Sequence, residues 1–423
     1  MAARSLLSAL LLLTPSLAAG QTAQTENTYA ADPKAQFRKG PNTRELGPFF
    51  LTPKILVDTL GVDTNVNYSS EAPVQDNSLL ITGSLDVLLP IGRHVRLSAY
   101  GGLTPNYFGT QEDARSLDRF GSLRAELDVG PVTPFGFVGG GRAKQRFSTE
   151  VDDRLWRDES SWGVGLMGRL TRKLTLTASG TEFRYRFDSG VVVSGTDVKT
   201  ALDHISRIGM GDLSYALSKR TDLIARAELI EDHFSDDPLL GQDSVRSYRY
   251  LVGPSFTAAS RIGGQFLIGL RRFPDSAAAS APSYDGLALD ARLSLPMGEA
   301  SLTLLATRDV RYAVARSEVL GTTARNTLVS SVYGADTSIS LPLGFLLRPS
   351  VRLERADYIL PYPINGVFLP RADNTWTVGG GLLKRFGERV AIGGMAEHYW
   401  RSSDLSGFDY SGTRYGLTAE ILP

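Results

Sequence analysis

The chain reads as an all-β protein, a transmembrane antiparallel up-and-down β-barrel of eighteen strands, and three observations predict it. Apolar and polar residues alternate with a period of two, the alternating segments run about ten to fourteen residues, and short connections alternate with long ones. In the clearest segment Leu79, Ile81, Gly83, Leu85, Val87 and Leu89 alternate with Thr82, Ser84 and Asp86. Val95, Leu97, Ala99 and Leu103 do the same against Arg96, Ser98 and Thr104, and Leu287, Leu289, Ala291, Leu293 and Leu295 against Asp290, Arg292 and Ser294. Strands of water-soluble proteins are usually about five or six residues long, whereas a tilted membrane-spanning strand needs about nine to eleven. A soluble sandwich therefore fits poorly.

Eighteen candidate strands are centred near residues 55, 83, 99, 123, 140, 165, 180, 209, 227, 252, 268, 290, 305, 335, 351, 379, 394 and 416. The number is even, as single-chain bacterial barrels require, and sixteen would meet the same condition. Short turns come at 91–93, 130–134, 171–173, 218–221, 260–263, 297–299, 342–344 and 386–388. Longer polar loops fall between them, among them 188–200, 235–245, 274–283, 313–327 and 360–371. Short periplasmic turns and long external loops, with both termini in the periplasm, are what an up-and-down barrel predicts. Aromatic residues gather near the strand ends, at Phe49 and Phe50, Tyr107 and Phe108, Phe135 and Phe137, Tyr248 and Tyr250, and Tyr399 and Trp400, which fits a pair of interfacial girdles.

Ahead of the strands, Arg4, the apolar run Leu6–Leu13, Pro15 and the small residues Ala18, Ala19 and Gly20 have the form of a secretory signal peptide over residues 1–20. The run is too short to span a bilayer. Residues 21–47 are polar and aperiodic and read as a flexible periplasmic lead-in, which leaves 48–423 for the barrel. Mean hydropathy is -0.09. No later apolar stretch is long enough for a transmembrane helix. There is no Cys, so disulfides, thiolate metal sites and a lipid-modified N-terminal Cys are excluded. Lys and Arg number 45 against 45 Asp and Glu, so no global basic field exists to hold nucleic acid.

The segment Leu51-Thr-Pro-Lys-Ile-Leu-Val-Asp-Thr-Leu-Gly-Val-Asp-Thr-Asn-Val66 resembles the first strand and Asp-x-Asn loop of the putative β-barrel porin type 2 family. The resemblance implies an outer-membrane pore, some of whose relatives are linked to exopolysaccharide production or export, and it supplies no catalytic residues. At the C-terminus the assembly pattern of such barrels has a match in Gly412, Tyr415 and Leu417, although the chain ends on Pro423 and not on an aromatic residue.

In a barrel each strand sends alternate side chains to lipid and to lumen, so the polar face lines the channel. On this reading the wall includes Arg124, Glu126 and Asp128, the neighbouring run Arg142, Lys144 and Arg146 opposite Phe137, Gly139, Gly141 and Ala143, and further along Arg226, Glu228, Arg292, Arg348, Arg352 and Glu354. Arg96, Arg249, Arg271, Asp290, Asp309, Arg311 and Glu397 belong to the same class, and the excess is basic. Two readings stand open: an electropositive track for anionic solutes, centred on Arg142, Lys144 and Arg146, or an ion-pair network that fills and hydrates the lumen.

Catalysis is not expected. His204 and Asp232 could face the lumen from adjacent strands, but no G-x-S-x-G nucleophile motif accompanies them. No metal or cofactor is expected, because the four His have no ligand spacing. The glycines at 139–141, 263–264 and 379–381 form no phosphate-binding motif and read as strand positions where packing or curvature demands no side chain. The expected function is an outer-membrane pore for water and hydrophilic solutes in a Gram-negative cell. The alternatives are an exopolysaccharide-export barrel working with periplasmic and inner-membrane proteins, and a structural or adhesion barrel acting through its loops. Expected partners are the outer-membrane lipid and the outer-membrane assembly machinery.

Overall fold

The computed structural model describes residues 43–146, 154–190, 192–193, 196–197, 199, 202–234, 244–256, 262–274, 284–317, 322–359, 362–364 and 367–423. The expected signal peptide, the lead-in up to residue 42 and most of the loops 235–245 and 274–283 lie outside the described residues.

Eighteen long strands make one sheet: β1 (Phe49–Asp63), β2 (Asp76–Ile91), β3 (Val95–Phe108), β4 (Ser116–Leu127), β5 (Val132–Arg146), β6 (Arg154–Arg169), β7 (Leu174–Phe187), β8 (His204–Ala216), β9 (Thr221–Phe234), β10 (Ser244–Phe256), β11 (Gly263–Arg272), β12 (Asp285–Met297), β13 (Ala300–Ser317), β14 (Thr322–Leu341), β15 (Phe345–Tyr358), β16 (Ala372–Phe386), β17 (Val390–Ser403) and β18 (Tyr410–Ile421). Each strand pairs with the next, and β1 pairs antiparallel with β18 from Ile55 opposite Ile421 to Asp63 opposite Arg414, which closes the sheet into a barrel. Every centre read from the alternation falls inside one of these strands. Closure gives every one of the eighteen strands a partner on both sides, as a sheet in hydrocarbon requires because no water is there to satisfy backbone N–H and C=O groups.

Midway along the strands the outward face is apolar and bare. Leu123, Val138, Trp162, Val164, Leu270 and Leu417 are all exposed, with no protein packed over them. A continuous apolar band around a sheet is stable only in an apolar surrounding, as on a membrane-spanning barrel. At one end the strands join by tight turns, and Gly92 (φ 62°) and Gly387 (φ 69°) take the left-handed backbone that such hairpins need. Before β1, the segment Arg44–Leu46 folds back and pairs with Phe49–Leu51, so the end of the expected lead-in is ordered by the wall it adjoins.

Two irregularities shape the interior. In β1 the register slips between Val57 and Thr59, so Asp58 is an extra residue in the strand. The second is the hairpin of β13 and β14. On the β12 side the pairing of β13 stops at Leu289 opposite Arg308, whereas β13 and β14 stay paired out to Ser317 opposite Thr322. The far part of this hairpin thus has no neighbour on its β12 flank and is free to leave the wall.

Candidate functional site: the luminal wall

Burial separates the two faces most clearly in β6. In β6 the buried residues are Leu155, Arg157, Glu159, Ser161 and Gly163, and between them Ser160, Trp162 and Val164 are exposed. The buried face carries Arg157 paired with Glu159 and is the luminal one. Its Gly163 lies directly under the Phe137 ring of β5, and Gly165 under Phe135, so these two phenylalanines also point inward. Arg124 of β4 stacks its guanidinium on the Phe135 ring at 4.2 Å and bonds Glu126 at 2.8 Å, and Glu126 in turn pairs with Arg96 of β3 at 3.1 Å.

A second network crosses the wall from β8 to β13. Arg226 bonds Asp212 at 2.8 Å and faces Asp290 at 3.5 Å, while Arg249 Nε donates to Glu228 at 2.7 Å. Arg249 and Arg271 then converge on the Asp309 carboxylate at 2.5 and 2.7 Å. A third network lies where β1 and β15–β18 meet. Glu420 accepts from Arg348 at 2.9 Å and pairs with Lys54 at 3.4 Å. Asp63 accepts from Arg414 at 2.8 Å and from the Tyr399 hydroxyl at 2.6 Å. Higher on the same wall Arg371 and Arg401 share Asp373. Taking one member out of such a buried pair costs about 3–5 kcal/mol, because it strands the other charge.

The β13–β14 hairpin reaches far across this wall. The Tyr312 hydroxyl of β13 donates to Asp232 of β9 at 2.8 Å, and the Tyr312 ring packs edge-on against Phe234 with centroids 5.0 Å apart. Strands β9 and β13 are four steps apart, and at about 4.8 Å per step the wall separates them by roughly 19 Å, more than these two side chains span. The hairpin has therefore folded inward. Its Val310, Tyr312 and Val329 form one buried apolar cluster with Phe234, Val245 and Phe273, and Tyr284 and Ile359 pack against it. The Ile359 amide also donates to the Thr327 carbonyl at 2.8 Å, which continues the β14–β15 pairing one residue past Leu328 opposite Tyr358. These contacts set Val310, Tyr312 and Val329 against the inner wall towards the long-loop end.

Of the residues singled out from the sequence, Arg124, Glu126, Arg226, Glu228, Arg292, Arg348, Arg352 and Glu354 stand on the luminal face, and all but Arg292 are at least partly buried there. Asp128 does not: it follows β4 in the turn at the short-turn end, exposed, where it accepts from the Gly130 amide at 3.1 Å. Arg142 and Lys144 are also corrected. They share the face of exposed Val138, outside the barrel, because Phe135, Phe137 and Ala143 take the inside. Arg142 stacks on Trp156 and pairs with Asp158 and Asp188 near the long-loop end of the outer face. The side chain of Arg146 lies outside the described residues. With Arg142 and Lys144 outside, the expected basic excess of the lumen fails among the described residues, since the wall guanidiniums stand against Asp58, Asp63, Asp212, Asp232, Asp373 and Glu420 besides the carboxylates named above.

Several luminal groups escape the alternation rule. Arg157 and Glu159 sit in a stretch polar on both faces, so the period alone does not say which way they point. His204 and Asp232 both lie inside. His204 Nδ1 is 2.7 Å from the Leu202 carbonyl and its ring stacks between Tyr185 and Phe234, while Asp232 is engaged by Tyr312. Among the described residues no group of three or more His, Cys, Asp or Glu is arranged to hold a metal.

No family model and no curated protein matches the chain. Among solved structures, OpdL of Pseudomonas aeruginosa is 13% identical over 89% of this chain and 99% of its own, with a TM-score of 0.45. OpdQ of the same organism is 10% identical, covering 88% and 97%, also at 0.45. The siderophore receptor PirA from Acinetobacter baumannii is 7% identical, covering 88% and 80%, at 0.43. Likeness at this level carries no argument, and the barrel assignment rests on the strand pairing of this chain.

Proposed function

We propose that the chain is an outer-membrane pore that passes water and small hydrophilic solutes by diffusion. One observation carries the reading: inside an eighteen-stranded barrel, charged luminal side chains midway along the wall stay open to solvent, with Asp290 at 32% and its neighbour on the same face, Arg292, exposed. A filled interior would cover them, and barrels of sixteen to eighteen strands leave an aqueous channel. The bare apolar band supports a membrane setting, with the long-loop end outside the cell and residues 1–20 as the leader that takes the chain there. The resemblance of Leu51–Val66 to the porin type 2 family supports the same reading and raises polysaccharide export beside it. The inward β13–β14 hairpin favours small solutes over a polymer, because it takes space from the mouth that a polysaccharide chain would need.

Swelling of proteoliposomes in isotonic sugars of increasing size tests the proposal. Fast swelling with the smallest sugars and a sharp fall with larger ones is expected. Failure to swell with any solute, from a correctly folded barrel, would reduce the protein to a structural or loop-presenting scaffold.

A further inference from the structure

The outer face carries a feature that a pore does not use. Between β6 and β10 a groove of about 720 Å³ runs along the outside of the wall. Its floor is Ala178 and Gly180 of β7, Gly209 and Gly211 of β8 and Ala227 of β9, and its sides are Val164 and Leu166 on one flank and Leu229 of β9 with Tyr248 and Tyr250 on the other. Gly180 and Gly209 are direct cross-strand partners. None of the three floor glycines has a positive φ, and a Cβ built on any of them meets nothing within 4 Å. Neither turn geometry nor internal packing therefore asks for glycine here, in contrast with Gly163 and Gly165 under their phenylalanine rings. Glycine also costs a strand stability and gives hydrocarbon nothing to pack on. The side chains it lacks leave the floor of the groove open to an extended alkyl chain.

Directly above the groove, one register row crosses five adjacent strands: Trp162, Glu182, Arg207, Glu231 and Arg246. Each stands two residues along its strand from a groove residue, which places the row about 7 Å nearer the long-loop end. Arg184 sits one step higher on the same face. Arg184 and Arg207 both pair with Glu182, and Arg246 pairs with Glu231. A guanidinium has five N–H donors, and these three side chains remain 42%, 55% and 59% exposed, so donors stay available on the outward side. Arg186 higher on β7 and Arg142 and Lys144 on β5 continue the basic belt. An arginine on a lipid-facing wall is stable in the headgroup layer, where phosphate answers its charge.

We propose that this face seats one phosphate-bearing lipid of the outer leaflet, an acyl chain lying over Gly180, Gly209 and Gly211 and the phosphate held by Arg184, Arg207 and Arg246. The inference rests on the membrane setting proposed above, and its test separates the two. Purified barrel in detergent is mixed with bisphosphorylated lipid A or with zwitterionic phosphatidylethanolamine, and retained lipid is read by native mass spectrometry. Wild type should keep lipid A at least tenfold better than phosphatidylethanolamine, and millimolar inorganic phosphate should not displace it. Gly209→Leu, which fills the groove, and Arg184→Gln with Arg207→Gln, which strip the headgroup seat, should each lower retention at least tenfold; Gly211→Val stands in for Gly209→Leu if that variant does not fold. Conductance in phosphatidylcholine bilayers should be unchanged in all of them, since these residues face away from the lumen, so loss of conductance by wild type would count against the pore alone. Retention of lipid A at the wild-type level by the groove variants or by the arginine variant, or equal retention of the two lipids by wild type, would overturn the proposal.

Discussion

Asp309 is the point at which the inward hairpin is fastened to the barrel, and its replacement gives the sharpest perturbation of the proposed mouth. Its carboxylate takes Arg249 at 2.5 Å and Arg271 at 2.7 Å, both from wall strands, and the Tyr312 hydroxyl adds a polar tie to Asp232 at 2.8 Å. Asp309→Asn keeps the shape and one acceptor but removes the charge, at a cost of about 2–3 kcal/mol, below the roughly 3–5 kcal/mol of a fully broken buried pair. Tyr312→Phe removes a hydrogen bond to a charged group, about 1.5–3 kcal/mol. The two belong to one cluster and add incompletely, so the double variant loses about 4 kcal/mol of docking energy. At about 1.4 kcal/mol per factor of ten, the ratio of docked to undocked hairpin falls roughly a thousandfold. The assay is single-channel recording: the double variant should show a second, larger conductance level and more open-channel noise, with unfolding-dependent gel mobility verifying an intact barrel. Wild-type conductance and noise from an intact double variant would show that the hairpin either does not narrow the mouth or is not held by these groups.

Two further predictions follow from the assignment of faces. Arg292→Glu should lower anion-over-cation permeability at low ionic strength, where screening over about 8 Å at physiological salt no longer hides a wall charge, whereas Arg142→Glu with Lys144→Glu should leave reversal potentials unchanged; the opposite ranking would invert the faces of β5. Gly163→Ala should destabilise the barrel by about 1–3 kcal/mol in urea unfolding, because its Cβ would stand 2.5 Å from the Phe137 ring, and Phe137→Leu should recover only part of the loss, since the Gly180 carbonyl lies 2.9 Å from the same Cβ; an additive double variant would refute the contact.

Most of the fold was legible because a barrel writes its architecture in local terms. Period-two alternation such as Leu79 to Leu89 needs no tertiary knowledge, and turn glycines like Gly92 mark where each hairpin must reverse. The site was legible only in part, for reasons that differ by residue. In β5 the alternation is carried through three glycines, which have no side chain to declare a face, and the cations beyond them lie where the outer face leaves hydrocarbon, so charge there does not mean lumen. Asp128 is in phase with Arg124 and Glu126, yet the strand ends one residue before it. The inward hairpin depends on Tyr312 meeting Asp232, a contact between residues 80 positions apart that no local pattern encodes. The groove was hidden for the opposite reason: Gly180, Gly209 and Gly211 look in sequence like any strand glycine, and only the pairing of β7 with β8 brings them together on one stretch of the outer face.

The central claim, a water-filled passage through this barrel, is tested most directly by the current that purified wild-type protein carries across a planar phosphatidylcholine bilayer in potassium chloride. The account predicts discrete, stable current steps that are linear in voltage and that grow in proportion to bulk salt. A barrel verified as folded and inserted that carries no current at any voltage would contradict it.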